Sequence, residues 1–353
     1  MILHQDLIIG FIGTYTKNNT MGIYKFSFNS KIGKIEKINL AYEIDSPNYL
    51  AIDKERNILY SACKLNNKSG VASFKFFGEK DSIDLINYNV VEGEAPCHLS
   101  IRKDKQLLIS SNYYENKMNV YNTLDGIILT SYASAEHKGS SIDPIKQTKP
   151  HINCSIFTHD EEFILSVDSG IDKLMLYTFN DNKLVERDDL SYHFPKGTGP
   201  KHITYSKSKP FYYVLSELTS EIFIFKYNKK SKTPFENIQT VSSLAPNYTG
   251  KKSGAAIHVH KNNKFLYTSD IETNSISLFY INENNGKLDY INAFSCNGNS
   301  PCDFQIDPAG KYIICGNKDS DNISIFSINQ STGSLKFLGS EHLPGPTCIK
   351  FID

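Results

Sequence analysis

Residues 96–101 read PCHLSI, residues 107–110 read LLIS and residues 118–121 read MNVY. Together they form one phrase: an opening strand after a turn, a second apolar strand, and a third strand that ends in an aromatic residue. The phrase recurs with openings at Pro47, Pro150, Pro200, Ala255, Pro301 and Pro346. Its period of about 45–55 residues is typical of β-propeller blades, which contain about four strands each. The repeat therefore predicts an all-β propeller whose chemistry lies where the innermost strands converge.

The phrase openings also predict how the ring closes. They divide most of the chain into six blades, near residues 47–95, 96–149, 150–199, 200–254, 255–300 and 301–345. Residues 7–42 carry three strand patterns without an opening strand, and residues 346–353 carry an opening strand alone. Joining these ends as a composite seventh blade leaves no free sheet edge at the seam. We therefore predict one domain over residues 1–353, a seven-bladed β-propeller with four antiparallel strands per blade.

Charge and cysteine content exclude several classes of protein. The chain has 38 basic and 38 acidic residues, so no net charge attracts it to nucleic acid or to an anionic membrane. Its seven cysteines include no CxxC pair and no zinc-finger spacing, so we expect free thiols buried in the blades and no metal site. The first residues lack the pattern of a signal peptide or a membrane span, which favours a cytoplasmic location.

Other motifs and loops add two expectations. No P-loop, dinucleotide fingerprint, zinc-protease motif or nucleophile elbow occurs in the sequence, so no cofactor is predicted. Two connections, residues 131–149 and 244–254, are longer than the others. Long loops on a rigid ring commonly shape the mouth of a site, although disordered excursions are the alternative. The sequence leaves the oligomeric state open.

Six short phrases are similar to those of one known family. They are GTYT at residues 13–16, GPKHI at 199–203, SEL at 216–218, AAIH at 255–258, PCDF at 301–304 and GNKDS at 316–320. They resemble the lactonase family of seven-bladed β-propellers, which includes 6-phosphogluconolactonases and carboxy-muconate cycloisomerases. The resemblance covers nearly the whole chain. It implies a ring that hydrolyses a phosphorylated sugar lactone, its small-molecule partner, at a central channel.

Hydrolysis of such a lactone needs a cationic clamp for the phosphate, a base that activates water and donors for the oxyanion. Glu217 is the candidate base, because it ends an apolar strand near the expected channel mouth, where loss of water is expected to raise its pKa. Lys201 and Lys318 are the candidate clamp. The candidate catalytic residues are Glu217, His151 and His202, and the candidate substrate-binding residues are Lys201, Asn153, Asp168, His258, Asp303 and Lys318.

Several of these side chains also have a structural interpretation. His98, His202 and His258 recur near the start of the opening strands, where a hydrogen bond to the backbone of the next blade explains the recurrence more simply than a metal site does. Glu217 is alternatively an acceptor for backbone amides between blades. Asp168, which we align with Glu217 in its own blade, and Asp303 are alternatively turn caps.

Four positions depart from the family pattern. Lys201, Ile271 and Cys302 stand where relatives usually have arginine, and Asn153 stands where the family has a second histidine. Lysine lacks the planar fork of arginine, and asparagine cannot carry a proton at neutral pH. The alternative function is therefore a catalytically degenerate propeller that binds a small metabolite or a partner protein. A cycloisomerase acting on a carboxylated muconate is a third interpretation, and it would need several cations.

Overall fold

The computed structural model describes residues 7–16, 21–180 and 183–352. Residues 1–6, 17–20, 181–182 and 353 fall inside the predicted domain and blades but lie outside the described residues. Within the described ranges the chain forms 29 β-strands and two 3₁₀ helices of three residues each. No helix in these ranges is long and apolar enough to cross a membrane. The prediction of an all-β protein is confirmed.

The strands form seven antiparallel sheets, which we number as blades 1 to 7 in the order of their innermost strands along the ring. Blade 1 contains β4 (Leu50–Asp53), β5 (Ile58–Leu65), β6 (Lys68–Lys75) and β7 (Asp84–Glu92). Blade 2 contains β8 (His98–Ile101), β9 (Leu107–Asn112), β10 (Lys117–Leu124) and β11 (Ile127–Glu136). Blade 3 contains β12 (Ile152–Phe157), β13 (Ile164–Asp168), β14 (Lys173–Asn180) and β15 (Lys183–Glu186). In blade 3 the short strand β16 (Tyr192–His193) also pairs with β14, after the helix Asp188–Leu190.

The remaining four blades repeat the same antiparallel order. Blade 4 contains β17 (Pro200–Tyr205), β18 (Phe211–Ser216), β19 (Glu221–Tyr227) and β20 (Phe235–Ser242), and blade 5 contains β21 (Gly254–Val259), β22 (Phe265–Asp270), β23 (Ser275–Ile281) and β24 (Leu288–Ser295). Blade 6 contains β25 (Pro301–Ile306), β26 (Tyr312–Asn317), β27 (Asn322–Ile328) and β28 (Leu335–His342). Blade 7 contains β29 (Pro346–Phe351), β1 (Leu7–Thr14), β2 (Gly22–Asn29) and β3 (Lys34–Glu43). The second helix, Lys318–Ser320, follows β26.

Blade 7 is built from both ends of the chain, as predicted. Strand β29 pairs antiparallel with β1, and Ile349 lies opposite Ile12. The order β29-β1-β2-β3 therefore places the carboxy-terminal strand innermost. Main-chain hydrogen bonds close the seam, so the ring has no unpaired edge where the two ends meet.

Seven hydrophobic clusters hold the blades together, one at each boundary between neighbouring blades. At the boundary of blades 7 and 1, for example, Phe11 packs near Phe76 with ring centroids 5.3 Å apart. The middle strands carry buried side chains on both faces, as in Ile222–Phe225 of β19. Aromatic and β-branched residues suit such two-sided packing, and their alternation explains why each sheet is sandwiched between two others.

The innermost strands contact one another in a closed cycle, in the order β29, β4, β8, β12, β17, β21, β25 and back to β29. This closure confirms the seven-bladed ring. It also brings together side chains that are far apart in the sequence, because every blade places the start of its innermost strand at the same end of the ring.

Candidate active site

A cavity of about 420 Å³ lies at the centre of the ring. Every blade contributes a residue from the start of its innermost strand: Asn48, Cys97, Asn153, Lys201, Ala255, Cys302 and Thr347. The residue that follows the second strand adds to the wall in five blades: Tyr15, Tyr113, Glu217, Ile271 and Lys318. Equivalent positions of the sequence repeat therefore form the cavity wall.

The floor of the cavity is formed by the next residue along five innermost strands: Tyr49, His98, Cys154, His202 and Asp303. Beyond them lie His258 and Lys350, which contact Asp303 but do not line the cavity. Of the nine predicted site residues, the structure brings six to the cavity: Glu217, His202, Lys201, Asn153, Asp303 and Lys318.

Lys201 reaches the cavity because of the turn that precedes it. Gly199 has a φ of +64°, in the left-handed region, and a Cβ there would lie 2.5 Å from the side chain of Leu218. The Gly199 amide donates a hydrogen bond to Asp172 Oδ1 at 2.6 Å, which fixes the turn. The chain then enters β17, so that Lys201 Nζ lies 3.2 Å from Glu217 Oε2.

Glu217 lies between two lysines. Its second carboxylate oxygen, Oε1, is 3.3 Å from Lys146 Nζ. Burial alone would raise the pKa of Glu217, but the ammonium groups of Lys201 and Lys146 outweigh it and hold the pKa below the usual value of 4.5. The expectation of a raised pKa was therefore wrong. The carboxylate is ionised at neutral pH and can accept a proton from water only in a site that stabilises the products of that transfer.

The sequence did not single out Lys146, which belongs to the predicted mouth loop, residues 131–149. Ser141 Oγ and Gln147 Nε2 donate to Asp172, at 2.5 and 2.8 Å, and anchor this loop against blade 3. The loop therefore supplies Lys146 to Glu217, although none of its residues lines the cavity. Residues 244–253 of the second long loop are described, and none of them lines the cavity.

The three recurring histidines each bridge to the next blade. The Ile257 amide donates to His202 Nδ1 at 3.3 Å, which confirms the structural interpretation of His202. His98 Nε2 lies 3.3 Å from Cys154 Sγ, and His258 Nε2 lies 2.9 Å from Asp303 Oδ1, so these two contact side chains rather than backbone. Burial lowers the pKa of His98 well below its usual range and that of His202 to about 3, so both rings are neutral.

Asp303 is held as an anion in the floor. Burial alone would raise its pKa, but Lys350, with Nζ at 3.9 Å, and His258 lower it to about 2. Burial tends to lower the pKa of Lys350, yet neighbouring groups, among them Tyr49 and Asp303, raise it above its usual value. Lys350 also lies over the ring of Tyr49, at 4.6 Å from its centroid. Lys350 and Asp303 thus form a buried ion pair that sets the charge below the cavity.

The structure does not bring His151 or Asp168 to the cavity. His151 stacks on Tyr113, with ring centroids 4.0 Å apart, and its Nδ1 lies 3.0 Å from the Tyr113 carbonyl oxygen. Asp168 is fully buried and accepts hydrogen bonds from His137 Nδ1 and from the His151 and Gly170 amides.

The alignment of Asp168 with Glu217 was wrong by one residue. Asp168 lies opposite Ile152, and Ser216 lies opposite Pro200, so Asp168 matches Ser216. Ser169 occupies the place that Glu217 has in blade 4. Because successive strand residues point to opposite faces, a shift of one residue turns a predicted wall carboxylate into a buried structural one.

These observations can now be compared with known proteins. The sequence model of the family described as "Lactonase, 7-bladed beta-propeller" matches residues 9–351. The chain belongs to this family. This membership confirms the prediction of a lactone-hydrolysing enzyme.

Individual relatives are similar over their whole length. The 6-phosphogluconolactonase of Bacillus subtilis (strain 168) is 32% identical over 346 residues, which are 98% of either chain. The crystal structure of a protein from Lactobacillus plantarum has a TM-score of 0.92 at 26% identity and covers 98% of this chain and 100% of that one. Periplasmic gluconolactonase of Pseudomonas aeruginosa has a TM-score of 0.92 at 21% identity, over 98% and 99% of the two chains, which shows the shared fold alone.

The four departures from the lactonase pattern all line the cavity. Asn153 Nδ2 donates to Ser169 Oγ at 2.7 Å and to the His151 carbonyl at 3.3 Å, so both of its N–H groups are used within blade 3. Ile271 and Cys302 add uncharged side chains to the wall. In this lactonase Lys201 and Lys318 carry the positive charge of the wall, and Lys146 adds a third ammonium group beside Glu217.

The neutral, buried histidines predict that stability falls with acidification. The unfolded chain takes up protons on His98 and His202 below about pH 6.5, whereas the folded chain does so only near or below pH 3. The free energy of unfolding should therefore fall as the pH drops from about 6.5, by about 1.4 kcal/mol per pH unit for each of the two residues. Urea denaturation over this range measures the slope.

A pair of variants isolates one histidine. His202→Gln should reduce the pH slope of the unfolding free energy by about 1.4 kcal/mol per unit, whereas His193→Gln, at an exposed position, should leave it unchanged. An unchanged slope in His202→Gln would show that His202 is not buried in its neutral form.

Proposed function

We propose that the cavity hydrolyses the internal ester of a phosphorylated sugar lactone, with 6-phosphogluconolactone as the test substrate. The observation that carries this proposal is the pairing of Glu217 with Lys201 and Lys146, in a cavity that Lys318 also lines. The name of the Bacillus subtilis relative supports the same substrate. The cytoplasmic location expected from the sequence fits such a metabolite and remains a prediction.

The charge balance favours a substrate with an anionic end. Two ammonium groups, those of Lys146 and Lys201, contact Glu217, that of Lys350 contacts Asp303, and that of Lys318 lines the same cavity. Lys318 also contacts the exposed carboxylate of Asp319 at 3.4 Å. The excess of positive charge lies on the wall, because Lys350, below the floor, is offset by Asp303 in the floor. A phosphate bound between Lys201 and Lys318 would accept charge-assisted hydrogen bonds from both.

Glu217 is the group that acts on water. An ionised carboxylate can orient a water molecule and take its proton as the oxygen attacks the lactone carbonyl carbon. The negative charge that develops on the carbonyl oxygen needs a hydrogen-bond donor on the cavity wall. Collapse of the tetrahedral intermediate breaks the ring C–O bond, and the departing alkoxide takes the proton that Glu217 received from water, which gives the open hydroxy acid and restores the Glu217 carboxylate.

His202 is left out of proton transfer in this scheme. With a pKa of about 3, His202 is neutral near pH 7 and does not act as a general base there. Its hydrogen bond from Ile257 instead fixes the floor between blades 4 and 5. His151 is likewise placed outside the reaction, because it is stacked on Tyr113 rather than turned toward the cavity.

Lys146→Met should shift the pH profile of the reaction. Lys146 helps to hold the pKa of Glu217 below 4.5, so its removal should raise that pKa. The base works when ionised, so the acidic limb of kcat/KM should move to higher pH, while the activity above the limb is retained. Lys138→Met, in the same loop and exposed, is the control and should keep the wild-type limb. A limb that stays in place in Lys146→Met would contradict the assignment of Glu217 as the titrating base.

The proposal is tested by following hydrolysis of freshly generated 6-phosphogluconolactone against its spontaneous rate. The expected result is a large acceleration by the purified protein, greater than for the lactone that lacks the phosphate. A folded protein that binds 6-phosphogluconate but does not accelerate hydrolysis would favour the catalytically degenerate propeller. Two features would account for such a result: the pairing of Glu217 with two lysines, and the asparagine at position 153.

A further inference from the structure

The cavity floor contains a cluster of three side chains from three different blades. His98 (blade 2) and Cys154 (blade 3) are in direct contact, with Nε2 and Sγ 3.3 Å apart. His202 (blade 4) offers a ring nitrogen, and the three ligand atoms all lie within 4.8 Å of one another. No metal-binding motif is visible in the sequence, because about fifty residues separate each member of the cluster from the next. The sequence analysis weighed a metal site on the recurring His98, His202 and His258 and preferred the structural interpretation, but it did not consider Cys154.

The donor set and its spacing suit a transition metal. In tetrahedral zinc sites, bonds of about 2.0–2.1 Å to nitrogen and 2.3 Å to sulfur place neighbouring ligand atoms about 3.3–3.6 Å apart. The distance between His98 and Cys154 already has this value, so only His202 needs to approach the other two. Imidazole and thiolate together select zinc, cobalt or copper over magnesium and calcium, which prefer oxygen.

The cluster is buried yet reachable. His98 and Cys154 are almost fully buried, and both line the cavity together with His202. An ion would therefore reach them through the cavity, and its fourth position would face the cavity space. Three protein ligands with one open position is the arrangement of catalytic rather than structural zinc sites.

We infer that His98, Cys154 and His202 form a binding site for a thiophilic divalent metal ion such as Zn²⁺ in the floor of the cavity. This site is independent of the proposed lactone hydrolysis, whose base and clamp lie on the wall. Binding breaks the Cys154 S–H bond and forms a metal–thiolate bond, and the released proton goes to solvent. His98 and His202 are already neutral and release none.

The surroundings set the strength and the pH dependence of binding. Burial raises the pKa of the Cys154 thiol to about 12, so the ion competes with a proton at neutral pH, and affinity should rise about tenfold per pH unit. The charged and titratable groups around the cluster are Lys350, Lys201, Asp303, His258 and Cys97. The two lysines oppose a cation and Asp303 favours it.

The hydrogen bonds available to the other ring nitrogens of His98 and His202 predict a metal affinity below that of structural zinc sites. A metal-bound histidine normally donates its other N–H to an oxygen acceptor, and loss of such a contact costs about 10–100-fold in affinity. His98 Nδ1 has no hydrogen-bond partner among the described residues. His202 Nδ1 accepts from Ile257 at 3.3 Å, and coordination through the other nitrogen moves the ring proton and gives up this long hydrogen bond. We therefore expect strong chelators to remove the ion without unfolding the protein.

Titration of the purified, metal-free protein with Co²⁺ tests the site. The expected result is one ion per chain, with a thiolate-to-cobalt absorption band in the near ultraviolet and visible bands of a tetrahedral complex. Zn²⁺ should abolish both. The band should be lost in Cys154→Ser and kept in Cys302→Ser, because Cys302 lines the same cavity but lies outside the cluster.

A measurement on the wild-type protein keeps the inference falsifiable if Cys154→Ser does not fold. X-ray absorption of the zinc-loaded protein should show one sulfur and two imidazole nitrogens around the ion, and binding at neutral pH should release one proton. A folded wild-type protein that shows no thiolate band with excess Co²⁺ would overturn the site. So would a zinc ion without a sulfur neighbour, or a thiolate band that survives Cys154→Ser.

Discussion

Glu217→Gln is expected to lower kcat for lactone hydrolysis by about 10²–10⁴-fold, which is the usual contribution of a general base. Glutamine keeps the size of the side chain but cannot accept the proton from water. Its amide also removes the negative charge that lies between Lys201 and Lys146, at 3.2 and 3.3 Å. The measurement is a progress curve of lactone hydrolysis, corrected for the spontaneous rate, at saturating substrate.

The control for Glu217→Gln is Glu221→Gln, a partly exposed carboxylate four residues along the same blade that does not line the cavity. The control should keep wild-type kcat. Thermal unfolding of both variants should lie within a few degrees of wild type, because glutamine has the size of glutamate and its side-chain oxygen can still accept a hydrogen bond from a lysine. Full activity in folded Glu217→Gln would show that another group activates water.

Lys201→Met should raise KM for the phosphorylated lactone by about 10–100-fold. This factor corresponds to the loss of one charge-assisted hydrogen bond of about 1.5–3 kcal/mol. KM for the lactone without a phosphate should change little. Because Lys201 also contacts Glu217, kcat is expected to fall for both substrates, and the two KM values together separate the clamp from the chemistry.

Two variants bracket this result. Lys226→Met, on an exposed face of the same blade, should leave both KM values at the wild-type level. Lys318→Met should raise KM for the phosphorylated lactone, as Lys201→Met does, since both side chains line the cavity. Equal losses for the two lactones in Lys201→Met would remove its role as a phosphate clamp.

The sequence was sufficient for the fold because the fold is a repeat. Each opening phrase marks an innermost strand, and the unmatched ends at residues 7–42 and 346–353 could complete a blade only with each other. The same logic found Glu217 and Lys201. Both occupy positions that line the cavity in other blades too, such as Tyr113 and Cys302.

The sequence was insufficient where a contact depends on a loop or on the exact register. Lys146 belongs to a loop without a counterpart in other blades, and its contact with Glu217 spans 71 residues. The pKa of Glu217 was expected to rise because burial could be inferred but the second lysine could not. Asp168 was displaced by one residue because only strand pairing distinguishes it from Ser169.

The cluster of possible metal ligands in the floor was missed for a related reason. Each of His98, Cys154 and His202 has an ordinary place in its own blade. Their meeting at one point depends on how the ring closes, and the distances of 3.3 to 4.8 Å between their ligand atoms follow from that closure. Spacing rules for metal motifs apply to ligands on one hairpin or helix and are silent on such a ring.

The most direct test of the central claim is a crystal structure of the wild-type protein with the reaction product, 6-phosphogluconate. The account predicts that the product lies in the central cavity, with its phosphate against Lys201 and Lys318 and its carboxylate within reach of a water held by Glu217. Product bound elsewhere on the ring, or a cavity that stays free of product at saturating concentration, would contradict the account.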